Sequence, residues 1–111
     1  MAVIVKTIFD SLSEAEKTLT RLLESKLAAG GNIKKCDSSY YWDNQVVYKV
    51  EYELSCFTIN ELFNEIQKLI TDHHSYAVPA IFSIPMTDIS PSWAEWINEY
   101  TQTDTSREQE F

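Results

Sequence analysis

Apolar and polar positions change rhythm several times along the chain, and each change marks an element. Ala2–Phe9, AVIVKTIF, is a short run of mostly apolar, β-branched residues, the pattern of a strand buried on both faces and central in its sheet. From Leu12 to Ala29 the apolar positions fall at Leu12, Ala15, Leu19, Leu22, Leu23 and Leu27, one face of an amphipathic helix. Ser13 and Glu16 have the spacing of a capping box, in which hydroxyl and carboxylate each satisfy a main-chain N–H of the first turn. Gly30-Gly31 follows as a stop that tolerates the positive φ of a C-terminal cap.

Asn32–Phe57 is the stretch around which the rest is organised. It is rich in Tyr, Val and Trp and is interrupted at Asp43-Asn44, so it reads as one hairpin with an Asx turn. Its arms of roughly ten residues exceed the five or six of an ordinary strand. A hairpin of that length overshoots a small domain and exposes Tyr40, Tyr41, Trp42 and Tyr48 unless another chain covers them. Self-association is the first functional expectation.

Beyond the hairpin, Thr58 and Glu61 repeat the capping-box spacing, and Ile59, Leu62, Phe63, Ile66, Leu69 and Ile70 mark a second helix. Asp72–Pro79 reads as a loop and Ala80–Ile84 as a strand ended by Pro85. Ser90 and Pro91 open a short helix carrying Trp93, Trp96 and Ile97. The order is strand, helix, strand, strand, helix, strand, short helix. That order predicts an α+β fold, a ferredoxin-like βαββαβ sandwich with both long helices on one face of an antiparallel sheet. It occupies residues 1–100, and the polar, patternless residues 101–111 read as a flexible tail.

Composition narrows the function classes. With 44% hydrophobic and 13% aromatic residues in 111, the chain can bury one modest core. A net charge of -8, with Lys34-Lys35 as its one basic pair, argues against nucleic acid as partner. No apolar run approaches the roughly 20 residues that span a bilayer. The start, MAVIVK, lacks a basic region ahead of an apolar one, so the cytoplasm is the expected location and no membrane partner is expected. Cys36 and Cys56 lie on opposite hairpin arms, but a turn at Asp43-Asn44 sets Cys36 near Glu51, which leaves both thiols free.

Candidate chemistry gathers around His73-His74, with Asp72 and Tyr76 beside them and the two thiols elsewhere. Imidazole and thiolate suit copper or zinc, which makes His73, His74 and Cys36 a candidate metal set. No CxxC, HxxxH or HExxH spacing supports it. A second reading is structural: a polar loop whose ring nitrogen and hydroxyl bond the main chain, with Pro79 directing the next strand. A third is a small-ligand pocket at a subunit boundary, lined by Tyr40, Trp42, Glu51, His74 and Tyr76. No nucleophile elbow or Gly-rich phosphate loop is present, and glycine totals two, so an enzyme is not expected.

Four stretches give the chain a family likeness. Leu27–Ile33, LAAGGNI, is similar to LAACVNI; Ser38–Trp42, SSYYW, fits SxYxW; His74–Ile81, HSYAVPAI, is similar to HPYEVPEI; and Trp93–Trp96, WAEW, stands in place of YLDW. Their order and spacing resemble the CutA divalent-cation tolerance proteins over almost all of residues 1–100. The resemblance implies a ferredoxin-like subunit in a tight homotrimer whose long hairpins reach across to neighbours. There are departures: Gly30 replaces the family's cysteine, Phe57 the lysine of its KT pair, Ser75 the proline after its histidine, and Asn44 a turn glycine. The expected function is a non-enzymatic trimer that binds a divalent metal ion or a small ligand at intersubunit clefts, in metal-ion tolerance or PII-like signalling. The alternative is a trimeric platform for a protein partner, contacted through the acidic surface or the tail.

Overall fold

Four strands, β1 (Ala2–Phe9), β2 (Gly30–Trp42), β3 (Gln45–Ile59) and β4 (Ile81–Pro85), form one sheet in the order β2-β3-β1-β4. All pairings are antiparallel. Helices α1 (Leu12–Glu24) and α2 (Phe63–His73), the latter entered through a 3-10 turn at Asn60–Leu62, and a short α3 (Pro91–Glu99) complete the ferredoxin-like α+β plan. The structure, a computed structural model, describes residues 1–101. Of the expected tail only Thr101 is described: it is buried, and its hydroxyl donates to the Ile97 carbonyl at 2.8 Å. The remainder of the tail, 102–111, lies outside the described residues.

β1 is central, as its composition implies, but it is buried on one face rather than two. Val3, Val5, Thr7 and Phe9 are buried, while Ala2, Ile4, Lys6 and Ile8 are only partly covered. Successive side chains of a strand point to opposite faces, and α1 and α2 cover one of these. There Ala15 and Leu22 of α1 and Ile66 and Ile70 of α2 join Val5, Phe9, Leu54 and Cys56 in the core. On the other face, Phe82 and Ile84 of β4 are exposed. The short α3 covers part of that face, with the rings of Phe57 and Trp93 edge to face at 5.1 Å.

Both predicted capping boxes fail, for different reasons. β1 ends so close to α1 that Ser11, not Ser13, is the N-cap, and its Oγ accepts from the Glu14 N–H at 3.1 Å. Thr58 lies inside β3, where its buried hydroxyl donates to the Leu27 carbonyl at 2.6 Å, and the turn into α2 has no side-chain cap. Helix α1 also stops earlier than its periodicity implies. Lys26 takes φ 59°, and the Leu27 N–H returns to the Leu22 carbonyl at 2.9 Å, a helix-ending wrap made without glycine. Leu27 continues the apolar spacing because it still packs in the core, though outside the helix. At Ser90, the expected cap of α3, the side chain makes no capping bond.

Gly30 and Gly31 open β2 instead of closing α1. A Cβ on Gly31 would lie 2.7 Å from the Ser55 carbonyl oxygen and 2.8 Å from Leu19 Cδ1. One on Gly30 would meet the Trp96 ring at 2.9 Å. The hairpin itself is longer than expected, with arms of 13 and 15 residues. Asp43 and Asn44 take φ 51° and 59° between the paired Trp42 and Gln45, as a two-residue hairpin loop requires. The register sets Cys36 opposite Glu51, and both thiols are free.

Gly31→Ala is expected to lower stability by about 1–3 kcal/mol, because backbone and a core leucine must both move. Gly30→Ala is expected to cost less, since only the rim of one indole obstructs it; thermal unfolding of the two variants tests the order.

Candidate functional site

The hairpin and the loop that follows α2 enclose a cleft of about 660 Å³. Strand alternation presents Val47, Lys49 and Glu51 along one face of β3, with Tyr40 and Trp42 contributed by β2 and Tyr76 by the loop. Ile8, Ser38, Val78 and Ala80 fill in the walls.

The loop is fixed from both sides. At the C-cap of α2 the backbone of His74 turns extended, and its side chain becomes fully buried. The imidazole stacks on Phe9 with centroids 4.4 Å apart and planes 13° from parallel. Its Nδ1 accepts from the Tyr76 N–H at 3.0 Å, so the neutral ring carries its proton on Nε2 and donates to the Ile8 carbonyl at 2.8 Å. Glu14 of α1 ties down the neighbouring residue. Its Oε1 accepts from the Ser75 N–H at 2.7 Å and its Oε2 from the Ser75 hydroxyl at 2.9 Å.

So held, Tyr76 reaches the sheet. Its hydroxyl donates to Glu51 Oε2 at 2.5 Å, the short distance of a hydrogen bond to a charged acceptor. Burial, reinforced by that bond to Glu51, pushes the phenol up to about 12. Lys49 Nζ pairs with Asp10 Oδ1 at 2.9 Å and lies 5.0 Å over the Tyr76 ring. The hydrogen bond to Asp10, then that to Tyr76, hold the ammonium well above the usual lysine range. At neutral pH the cleft therefore presents an anchored neutral phenol and a committed cation.

Tyr40, Trp42, Glu51 and Tyr76 are brought together as the sequence suggested. His74 stands behind the wall as a strut, with both ring nitrogens engaged. His73 is exposed at the end of α2. Cys36 Sγ lies 3.5 Å from the Glu51 carbonyl oxygen and 3.9 Å from Ser38 Oγ, and neither His73 nor Cys36 lines the cleft. Cys56 is buried among the core residues under the helices, where burial pushes its thiol up to about 12. Among the described residues no three His, Cys, Asp or Glu side chains form a group able to hold a metal ion. Lys49 was missed. Its spacing of two from Glu51 puts both on one strand face, a signal present in the sequence, but its partner Asp10 is visible only in three dimensions.

A family model described as CutA1 divalent ion tolerance protein matches residues 3–100. The chain belongs to the CutA1 family. The divalent-cation tolerance protein CutA of Archaeoglobus fulgidus is 36% identical over 89 residues, 80% of this chain and 87% of that one. The same-named protein of Pyrococcus horikoshii is 30% identical over 100 residues, 90% of this chain and 98% of that one. Among solved structures, the periplasmic divalent cation tolerance protein CutA from Archaeoglobus fulgidus superposes with a TM-score of 0.90 at 32% identity, covering 92% of this chain and all of that one (100%). Among the described residues of this CutA1 chain, no helix is long and apolar enough to cross a membrane.

The site makes Tyr76 a late-titrating phenol. Because its folded value, about 12, lies above the ordinary 10.0, the stability it contributes is fully present below pH 10 and is lost as pH rises toward 12. The phenolate absorbance of wild type minus that of Tyr76→Phe is expected to show one group titrating near 12; a midpoint at the ordinary value would contradict the geometry.

Proposed function

We propose that this chain is a non-enzymatic trimeric binding protein whose cleft takes a small ligand and couples it to divalent-cation tolerance or to PII-like signalling. The observation that carries this reading is the overhanging ribbon. β1 pairs with β3 only from Tyr52 to Ile59, so Gln45–Glu51 has β2 as its single neighbour. A two-stranded ribbon is marginal alone in water. This one presents Tyr41 and Tyr48, 78% and 80% exposed, with Val46 and Val50 on the same side. Further copies of the chain packed about the overhang would cover that side. The cleft, which Val47, Lys49 and Glu51 line on the ribbon's opposite face, would then lie beside a subunit boundary, where ligand sites commonly form.

Divalent-cation tolerance is what the relatives are named for, and it enters here as the process served. The residues do not fit direct capture of a metal by His73, His74 and Cys36: His74 uses both nitrogens internally, and the other two stand outside the cleft. The non-enzymatic reading is supported in that a phenol pushed up to about 12 and a lysine held charged are poorly suited as bases near neutrality. Two free thiols support a cytoplasmic location.

Sedimentation velocity at micromolar concentration tests the assembly. Wild type is expected to run as a trimer, and Tyr48→Ala to weaken it by about 2 kcal/mol or more, as buried interface aromatics do. A monomeric wild type would overturn the reading.

A further inference from the structure

Glu51 is the one cleft residue whose charge is left without a counter-charge. It is 4% exposed and lines the cleft, yet no ion pair reaches it among the described residues, and its carboxylate bond comes from the neutral Tyr76 hydroxyl. The nearby cation does not fill the role, because Lys49 Nζ is bound to Asp10 at 2.9 Å. A buried carboxylate with only a neutral donor is costly unless a positive charge joins it.

The walls around it favour a particular kind of positive charge. Tyr40, Trp42 and Tyr76 supply aromatic surfaces, and Ile8, Val47 and Val78 supply apolar ones. Aromatic faces attract ammonium groups, and the Tyr76 ring already does so with Lys49 at 5.0 Å. A hydrated divalent ion prefers a cage of several oxygens, whereas the cleft offers one carboxylate and the hydroxyls of Ser38, Ser39 and Ser75 among rings and aliphatic groups. The Ser75 hydroxyl is already bound to Glu14. An anionic ligand would meet Glu51 and find Lys49 already paired. The chain's net charge of -8 draws cations toward the molecule.

We propose that the cleft selects a small organic cation, a primary or quaternary ammonium group on an apolar body, with Glu51 as its counter-charge and Tyr40 and Trp42 against its apolar part. This rests on the cleft being a ligand site, and it adds the ligand's chemical class. Tyr76 is a positioning residue, aiming the Glu51 carboxylate through its hydroxyl.

Three probes of similar size and opposite character distinguish the possibilities: phenethylammonium, neutral 2-phenylethanol and anionic 3-phenylpropionate, each titrated into the full chain by NMR and calorimetry at neutral pH. Phenethylammonium is expected to bind at least about tenfold more tightly than the alcohol, with the acid weakest. Glu51→Gln is expected to erase the preference for the ammonium while keeping the alcohol's affinity. Should that variant fail to fold, the wild-type series alone decides. Equal binding of ammonium and alcohol overturns the proposed ligand class and leaves the cleft as a ligand site. No perturbation of Tyr40, Trp42 or Tyr76 signals by any probe overturns both.

Discussion

The structure depends on a mismatch of length. β3 runs 15 residues, but its second neighbour, β1, has only 8 to offer. Ladder hydrogen bonds and helix packing stabilise the half that ends at Ile59, whereas the half that begins at Gln45 has one partner strand and no helix over it. Shortening the hairpin would remove the exposed edge and also the cleft, since Tyr40, Trp42, Val47 and Lys49 all belong to the overhang or its root. The feature that leaves the ribbon exposed is thus the one that builds the cleft.

The other wall is a loop, and loops need fixing if they are to bind anything selectively. Here the fixing is done by His74 and Glu14, which do not line the cleft. His74 joins the Ile8 carbonyl to the Tyr76 amide, and Glu14 reaches across from α1 to hold Ser75. With the loop held at both residues, Tyr76 reaches Glu51 with its hydroxyl committed to that carboxylate. A histidine next to another histidine suggests a metal in a sequence; burial and two saturated nitrogens make this one a brace.

How far the fold could be read depended on whether the signal was local. The hairpin, its Asp43-Asn44 turn and the Cys36–Glu51 register follow from alternation about a two-residue loop, and the grouping of Tyr40, Trp42, Glu51 and Tyr76 followed with help from the family likeness. Helix ends were less legible. The same serine-to-glutamate spacing occurs where the first turn is displaced by two residues and where the threonine belongs to a strand. The Gly30-Gly31 pair resembles a cap, yet its glycines answer to Trp96 and Leu19, residues distant in sequence. Lys49 was overlooked for the same reason: Asp10 gives it its role, and only the β1-β3 pairing brings the two ends together.

The departures from the family pattern have a physical logic of their own. Gly30 and Phe57, which stand where the likeness places a cysteine and a lysine, are directly opposed across β2 and β3. Trp96 lies where a side chain on Gly30 would be, and Trp93 packs edge to face on Phe57 at 5.1 Å. In this chain a Cβ at position 30 would meet the Trp96 indole at 2.9 Å, and the Phe57 ring adds to the aromatic contacts under α3. Trp96 is the tryptophan that the family stretch also carries, so Gly30, Phe57 and Trp93 are the departures at this corner beneath the last helix, and none of the four residues lines the cleft. Loss of the cysteine and lysine repacks a corner of the sheet and leaves the Glu51–Tyr76 pair untouched. A metal role attached to the family's thiol would be absent from this chain, while the cleft at the base of the hairpin keeps its lining.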